Sequence, residues 1–388
     1  MVSELPAALI SLGLLFLAGL AADQLAPRAR LPRVTLLLGC GLLAGRAGFD
    51  IIPPVVRELY PMVAIIALSM VAFLLGGSLS ADALRAHGRA ILIISLSIVF
   101  VTLAVVAAGL WLLGLSVAMA LVLGAIATAT APAATYDVIR QSRQDTGFTQ
   151  TLKGIVAIDD AWGLIVFSLV IVAVSSQDGA TATVLTHTMI EVVGSVALGA
   201  AIGFPAAYLT GRLSEGEPLR IEALGLVFLT SGIALALDLS YLIAGMTVGA
   251  VVVNVARHHT RAFHEIENLQ WPFMMIFFLL AGATLEPAAL LVVGSAGLAY
   301  VMLRTAARIL GGWAGARLAR VPRIEQPWYG PALLPQAGVA IGMALIASEF
   351  LPENAEDIMA LTIAATVVFE LTGPLAAAYA IKRVSKAA

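Results

Sequence analysis

The chain has 388 residues, of which 60% are hydrophobic and only 12% are charged, whereas soluble proteins carry about a quarter charged residues. This deficit excludes an ordinary soluble protein and indicates a chain whose surface faces lipid. The net charge of −2 argues against nucleic-acid binding, and the single cysteine, Cys40, excludes an intramolecular disulfide or a cysteine metal cluster.

The apolar runs predict an all-α polytopic membrane protein, because a spanning helix needs about 20 mostly apolar residues. The first run lacks the basic region of a cleavable signal peptide, so we interpret it as a retained helix. About thirteen spans are predicted, at 5–26, 31–48, 58–80, 89–113, 116–140, 151–176, 184–211, 219–237, 240–256, 264–284, 288–316, 328–349 and 356–381.

The Lys and Arg residues gather at every second connection between the predicted spans. Eighteen of the 22 Lys and Arg residues fall in or next to connections and the C-terminal tail on one side, two (Arg46 and Arg57) fall on the other side, and two lie inside span 11. Because positive residues gather in cytoplasmic loops, this pattern predicts an outside N-terminus and a cytoplasmic C-terminus. The short connections leave no room for a soluble catalytic domain, so any activity is expected within the membrane.

Span 5 and span 12 are predicted to be broken helices. Span 5 contains ATATAPAAT with Pro132, and span 12 contains LLPQAGVAIG with Pro335 and Gln336. Proline removes a backbone donor, and exposed backbone groups at membrane depth are tolerated only where they are capped or line a cavity. Two such segments in corresponding halves indicate a transporter site, although each alone is compatible with an ordinary proline kink. Thr128 and Thr130 offer oxygens nearby.

Span 6 carries two adjacent acids, Asp159 and Asp160, in GIVAIDDAWGLIVF. Ionisable groups inside a membrane are costly and are therefore functional candidates. Neighbouring helix positions point about 100° apart, so one carboxylate can face a cavity while the other contacts a partner helix. Either can bind a proton or a hard cation, which prefers oxygen ligands.

Span 11 carries Arg304 and Arg308 on one helix face. A buried arginine needs a carboxylate or the carbonyls of a helix C-terminus, so a purely structural role stays open for both. Glu370, in VVFELTGP of span 13, is either a functional acid or one that only pairs with Arg304 or stays protonated. Spans 4–6 and 11–13 thus suggest an inverted-topology repeat.

These residues resemble the monovalent cation:proton antiporter superfamily, with the bacterial NapA-type sodium/proton antiporters as the most similar group. The resemblance covers nearly the whole chain and is strongest at GIVAIDDAWGLIVF and ATATAPAAT; WPFMMIFFLLAGATLE and RILGGWAGARL also match family segments. It implies a NapA/NhaA-like antiporter fold in a bacterial inner membrane and a homodimer. It also implies dimer-domain helices at 1–87 and 218–287, core segments at 88–176 and 288–388, and a linker helix at 177–217.

The resemblance also implies roles for individual residues. Asp160 becomes the main ligand of the transported Na⁺ or H⁺, Asp159 pairs with the basic residue of span 11, and Thr130 lies at the unwound centre of span 5. Arg308 replaces the lysine of electrogenic members, and Gln336 and Glu370 also depart from the family pattern. These departures do not change the predicted class of transporter, but they leave open which cation is transported and how many protons are exchanged for each cation.

The sequence therefore predicts exchange of Na⁺, or of Li⁺ or K⁺, for H⁺ by competition at the Asp pair and alternating access. No cofactor is expected beyond the transported ions, and no enzymatic motif is found. Potassium efflux is an alternative, and a non-transporting membrane sensor or assembly subunit is an alternative of another class. A channel is disfavoured because no carbonyl-filter segment is present.

Overall fold

The computed structural model describes residues 5–29, 31–174, 180–209, 217–256, 259–285, 294–336 and 338–386. Within these ranges the secondary structure is helical, with no strand. The α-helices, in chain order, are α1 (Leu5–Ala29), α2 (Arg33–Ala44), α3 (Pro54–Arg57), α4 (Tyr60–Gly77), α5 (Ala81–Leu112), α6 (Val117–Ile126), α7 (Pro132–Ser142), α8 (Gly147–Val174), α9 (Ala180–Leu209), α10 (Glu217–Ala236), α11 (Tyr241–Val255), α12 (His259–Thr284), α13 (Gly294–Leu318), α14 (Tyr329–Ala332), α15 (Gly338–Phe350) and α16 (Ala355–Ser385).

Every predicted span overlaps at least one of these helices. Among the described residues, seven helical stretches are long and apolar enough to cross a membrane by length and composition. They are Leu5–Ala26, Pro54–Gly77, Ala81–Leu112, Gly147–Ile171, Thr186–Leu209, Phe263–Thr284 and Pro352–Ser385. Shorter apolar helices lie within α2, α6, α10, α11 and α15.

The chain divides into two compact units. Unit 1 comprises residues 1–81 and 191–285, and unit 2 comprises residues 82–190 and 286–388. This division places the start of the second unit near the predicted boundary at residue 87, and it divides the predicted linker helix, α9, between the units. The names dimer domain and core domain remain predictions.

Unit 1 is a helical bundle in which α11 packs on α4, and α12 packs on both α2 and α4. The α4–α11 contact depends on glycine. A Cβ on Gly76 would lie 2.1 Å from the carbonyl oxygen of Met246, and one on Gly249 would lie 2.1 Å from that of Phe73. Small residues allow membrane helices to approach to this distance and gain backbone packing.

Unit 2 is built around the two predicted helix breaks. The first break, residues 127–131, separates α6 from α7, and the second break, residues 333–336, follows α14 and precedes α15. Pro132 is the first residue of α7, where its missing N–H costs nothing. Ala131 is extended, with φ −108° and ψ 94°, and its N–H donates to the carbonyl of Pro335 at 3.0 Å. The two breaks therefore meet each other through the backbone.

An apolar core surrounds these breaks. It is formed by buried side chains of α5, α6, α8, α13, α15 and α16 and includes Tyr300 and Phe369. The core holds the ends of α6 and α14 away from the surface of the unit. The carbonyls released at the breaks therefore need partners from the protein itself.

Candidate functional site

The carbonyls of the first break are satisfied by two arginines of α13. The Arg304 guanidinium donates from Nε to Ala127 O at 3.0 Å and from Nη2 to Ala129 O at 2.9 Å. Its Nη1 donates to Leu334 O of the second break at 2.9 Å. One fully buried arginine thus joins both breaks. Its cation also lies where the C-terminal carbonyls of α6 carry partial negative charge.

Arg308 continues this arrangement one helical turn later. Its Nη2 donates to the carbonyls of Ala129 at 3.0 Å and Ala127 at 3.4 Å, and also to that of Thr128. Its Nη1 lies 3.5 Å from Oδ2 of Asp159, and both side chains are fully buried. Arg308 therefore has both of the partners that the sequence allowed, carbonyls and a carboxylate, whereas Arg304 is held by carbonyls.

Asp159 lies at the centre of the site, on α8 beside the first break. Thr130 donates its hydroxyl hydrogen to Oδ2 at 3.0 Å, and Ser95 of α5 donates to Oδ1 at 3.3 Å. The ion pair with Arg308 is longer than the 2.7–2.9 Å of a charge-assisted hydrogen bond. Two hydroxyls and one long ion pair therefore hold this carboxylate in a site without exposed surface.

The predicted site residues divide into those that the structure brings together and those that it does not. Asp159, Thr130, Arg304, Arg308, Pro132, Pro335 and Gln336 all lie at or beside the two breaks. Gln336 donates its amide hydrogen to Ile126 O at 3.3 Å. Asp160 follows Asp159 on α8, but its side chain lies outside the part that the structure describes.

Glu370 does not form the ion pair with Arg304 that the sequence left open. The Arg304 guanidinium stacks over the ring of Phe369, the preceding residue, with 4.2 Å from Cζ to the ring centroid. Its hydrogens are donated to carbonyls, and no ion pair with Glu370 forms among the described residues.

Two polar residues in this region were not predicted from the sequence. Ser95 contacts Asp159 directly, and Tyr300 donates its phenol hydrogen to Leu123 O at 3.2 Å within the core. Serine in an apolar helix commonly bonds to the carbonyl four residues earlier, as Ser69 does with Ile65. The only sequence signal for Ser95 was therefore a polar residue in an otherwise apolar span.

The fold and the site together define a class of protein, a polytopic membrane transporter with two broken helices that meet at a buried charged site. The family model for "Sodium/hydrogen exchanger, transmembrane" matches residues 12–381, so the chain belongs to this family. The predicted membership in the cation:proton antiporter superfamily is confirmed, and the chain is a multi-pass membrane protein of a transporter family.

Solved structures agree at the level of the fold. The chain is similar to the sodium proton antiporter MjNhaP1 from Methanocaldococcus jannaschii at pH 8, with a TM-score of 0.74, 19% identity and 99% of each chain covered. An electron-microscopy structure of the same antiporter gives a TM-score of 0.80 and 19% identity over 99% of this chain and 98% of that one. The predicted all-α polytopic antiporter fold is confirmed. No curated protein sequence matches.

Proposed function

We propose that this protein exchanges Na⁺ for H⁺ at the site formed by Asp159, Asp160, Thr130 and Arg308. The observation that carries the proposal is the buried Asp159 carboxylate beside the first break, held by Thr130, Ser95 and Arg308. Family membership supports cation/proton antiport as the activity. The choice of Na⁺ and the roles of the individual residues are part of the proposal.

The charges of the site suggest different roles for the two aspartates. Arginine does not release its proton in proteins, so the Arg308–Asp159 pair keeps one charge state. The exchangeable charge then rests on Asp160, which binds either one cation or one proton. Asp160 with neither ligand would carry an uncompensated charge in the membrane interior, which is costly. Unit 2 would therefore change between inward-open and outward-open states only when the site is loaded, and exchange follows.

The charge distribution along the sequence supports an orientation with the N-terminus outside and the C-terminus in the cytoplasm. We place the protein in a bacterial inner membrane and expect a homodimer, as the family resemblance implies. In this arrangement an inward proton gradient drives cation extrusion.

The test uses purified protein in liposomes with an imposed proton gradient and a pH-sensitive dye inside. Na⁺, Li⁺, K⁺ and choline are added in turn to wild type, Asp160→Asn and Asp82→Asn. Asp82 is an exposed acid at the start of α5 that forms an ion pair with neighbouring Arg85 at 3.4 Å, so it is the matched control. We expect dye recovery with Na⁺ but not choline in wild type and Asp82→Asn, and at least about 100-fold less in Asp160→Asn.

Each other outcome has a defined meaning. A response to K⁺ alone would identify K⁺, instead of Na⁺, as the transported cation and would favour potassium efflux. Full cation-dependent proton flux in Asp160→Asn would contradict the competition mechanism. No response to any cation across a range of pH would favour the membrane sensor or assembly subunit.

Thr130→Val is expected to weaken cation binding without unfolding the protein. The change removes the hydroxyl that donates to Asp159 and an oxygen that can contact a cation. A hydrogen bond to a charged group contributes about 1.5–3 kcal/mol, which corresponds to at least a roughly tenfold rise in the half-saturating cation concentration.

Thr128→Val is the matched control for this substitution. Thr128 is also buried in the first break, but its hydroxyl donates at 2.7 Å to Ala125 O within its own helical turn. The cation concentration at half-maximal exchange, measured for both variants, should rise only for Thr130→Val. Equal shifts in the two variants would show that general disturbance of the break, rather than the contact with Asp159, sets the affinity.

A further inference from the structure

Glu370 is an acid in the middle of α16 whose carboxylate has no partner among the described residues. It lies between the buried Phe369 and the exposed Thr372, and it is itself partly exposed on unit 2. Three residues further on, a Cβ on Gly373 would lie 2.5 Å from Cα of Pro335. Glu370 therefore lies one helical turn from the point where α16 touches the second break.

The cations near this position are already engaged. Arg304 donates to three carbonyls and Arg308 pairs with Asp159. An ionised carboxylate with neither hydrogen bond nor counter-ion is costly inside a membrane, whereas a protonated acid is neutral. The charged residues on the helices packed against α16 are Asp137, Arg140, Lys153, Asp159, Asp160, Arg304, Arg308, Arg317, Glu349 and Glu353. The side chains of Asp160 and Glu349 lie outside the described part; none of the others pairs with Glu370.

A row of hydroxyls continues from Glu370 along the same face of α16. Thr366 and Thr362 lie four and eight residues before it, a spacing that places side chains one above another. Both are buried, and neither hydroxyl has a hydrogen-bond partner. Helical threonines can bond to the carbonyl four residues earlier, as Thr305 and Thr372 do here at 2.8 and 2.7 Å.

These free hydroxyls indicate a path for water or protons. An unsatisfied buried polar group costs about 1–3 kcal/mol, and buried water commonly satisfies such groups. Two hydroxyls in line with an acid form a polar row that can pass a proton, since each hydroxyl both donates and accepts.

We propose that Glu370 is a second proton-binding site of this transporter, reached along Thr366 and Thr362 and separate from the Arg308–Asp159 pair. The inference rests on the proposed antiport function and extends it. The Glu370 carboxylate accepts a proton from water on one side of the membrane and returns it to water on the other; no other bond forms or breaks. Glu370 then supplies the additional proton that Arg308 cannot supply, and two protons are exchanged for each cation. In the cation-bound state Glu370 is ionised, and its partial exposure lets water solvate the carboxylate.

The experiment measures the number of protons exchanged per cation in proteoliposomes, from the membrane potential at which net flux vanishes under fixed gradients. Glu370→Gln is compared with wild type and with Glu356→Gln, an exposed acid of the same helix. We expect a ratio of two for wild type and Glu356→Gln and one for Glu370→Gln. The proposal is overturned if wild type and Glu370→Gln give the same ratio.

A second measurement separates this proposal from the proposed function. Infrared difference spectra of the full chain, recorded between acidic and alkaline pH, report the C=O stretch of protonated carboxyls without any transport. A titrating band that is present in wild type and Glu356→Gln but absent in Glu370→Gln supports a proton site at Glu370, even if no cation drives proton flux. If Glu370→Gln retains every titrating band of the wild type, the proposed proton site at Glu370 is overturned.

The hydroxyl row has its own control pair. Thr366→Val is expected to slow proton release at least about fivefold while the ratio stays at two, because the route changes but the acid remains. Thr372→Val removes an exposed hydroxyl that bonds to Val368 O, and it should leave the rate unchanged. Equal rates in both variants would remove Thr366 from the path.

Discussion

Arg304→Lys is expected to destabilise the protein strongly even though it keeps the positive charge. The Arg304 guanidinium reaches Ala127 and Ala129 in one break and Leu334 in the other from three separate nitrogens. A lysine ammonium is a single point donor and cannot reproduce this fork. Loss of at least two bonds to a charged donor, each contributing about 1.5–3 kcal/mol, should lower the free energy of unfolding by about 3 kcal/mol or more.

The measurement is unfolding of purified protein in mixed detergent micelles, with Arg317→Lys as the matched control. Arg317 is exposed in the last turn of the same helix, and its guanidinium lies 5.5 Å from the centroid of the Trp313 ring. Surface substitutions usually change stability by less than about 0.5 kcal/mol. If Arg304→Lys and Arg317→Lys have the same free energy of unfolding, the carbonyl bonds do not hold the two breaks in place.

Arg308→Gln is expected to destabilise the protein by leaving a buried carboxylate without its counter-ion. Asp159 would keep only the hydroxyls of Thr130 and Ser95, which do not neutralise its charge. Removing one partner of a buried ion pair costs about 3–5 kcal/mol. The same micelle unfolding experiment measures this loss, with Arg317→Gln as the exposed control.

A double variant separates the ion pair from the carbonyl bonds of Arg308. Arg308→Gln with Asp159→Asn removes both charges, so it should be more stable than the sum of the two single changes predicts. The remaining loss then belongs to the bonds with Ala127, Thr128 and Ala129. Strict additivity would contradict an energetic link between Arg308 and Asp159 and would assign Arg308 to the carbonyls alone.

The two arginines thus have different expected roles although they lie on one helix face. Arg304 contacts carbonyls of both breaks and stacks on Phe369, an arrangement suited to fixing the fold. Arg308 contacts the first break and Asp159, so it links the fold to the proposed ion site. Arg308→Lys should therefore keep the ion pair and lose less stability than Arg304→Lys.

Features with local causes could be predicted from the amino-acid sequence alone. Low charge and long apolar runs require helices in a membrane, since every backbone group there must be bonded internally. Pro132 and Pro335 lack the N–H that a continuous helix needs and lie in corresponding halves of the chain, so both breaks could be predicted. Proline alone was not a sufficient signal, since Pro205, Pro272 and Pro374 lie inside continuous helices. The Asp159–Asp160 pair was identifiable because charged residues inside a membrane span are costly and rare.

Contacts between distant residues, in contrast, depend on how the helices pack. Arg304 bonds to carbonyls about 30 and 175 residues away along the chain, and such partners depend on helix register and rotation that no local pattern encodes. For the same reason Ser95 was not predicted as a partner of Asp159, and pairing of Glu370 with Arg304 stayed open. The packing of α13 against both breaks gives the arginines their carbonyl partners, and Glu370 is left without a cation because those carbonyls and Asp159 already engage both of them.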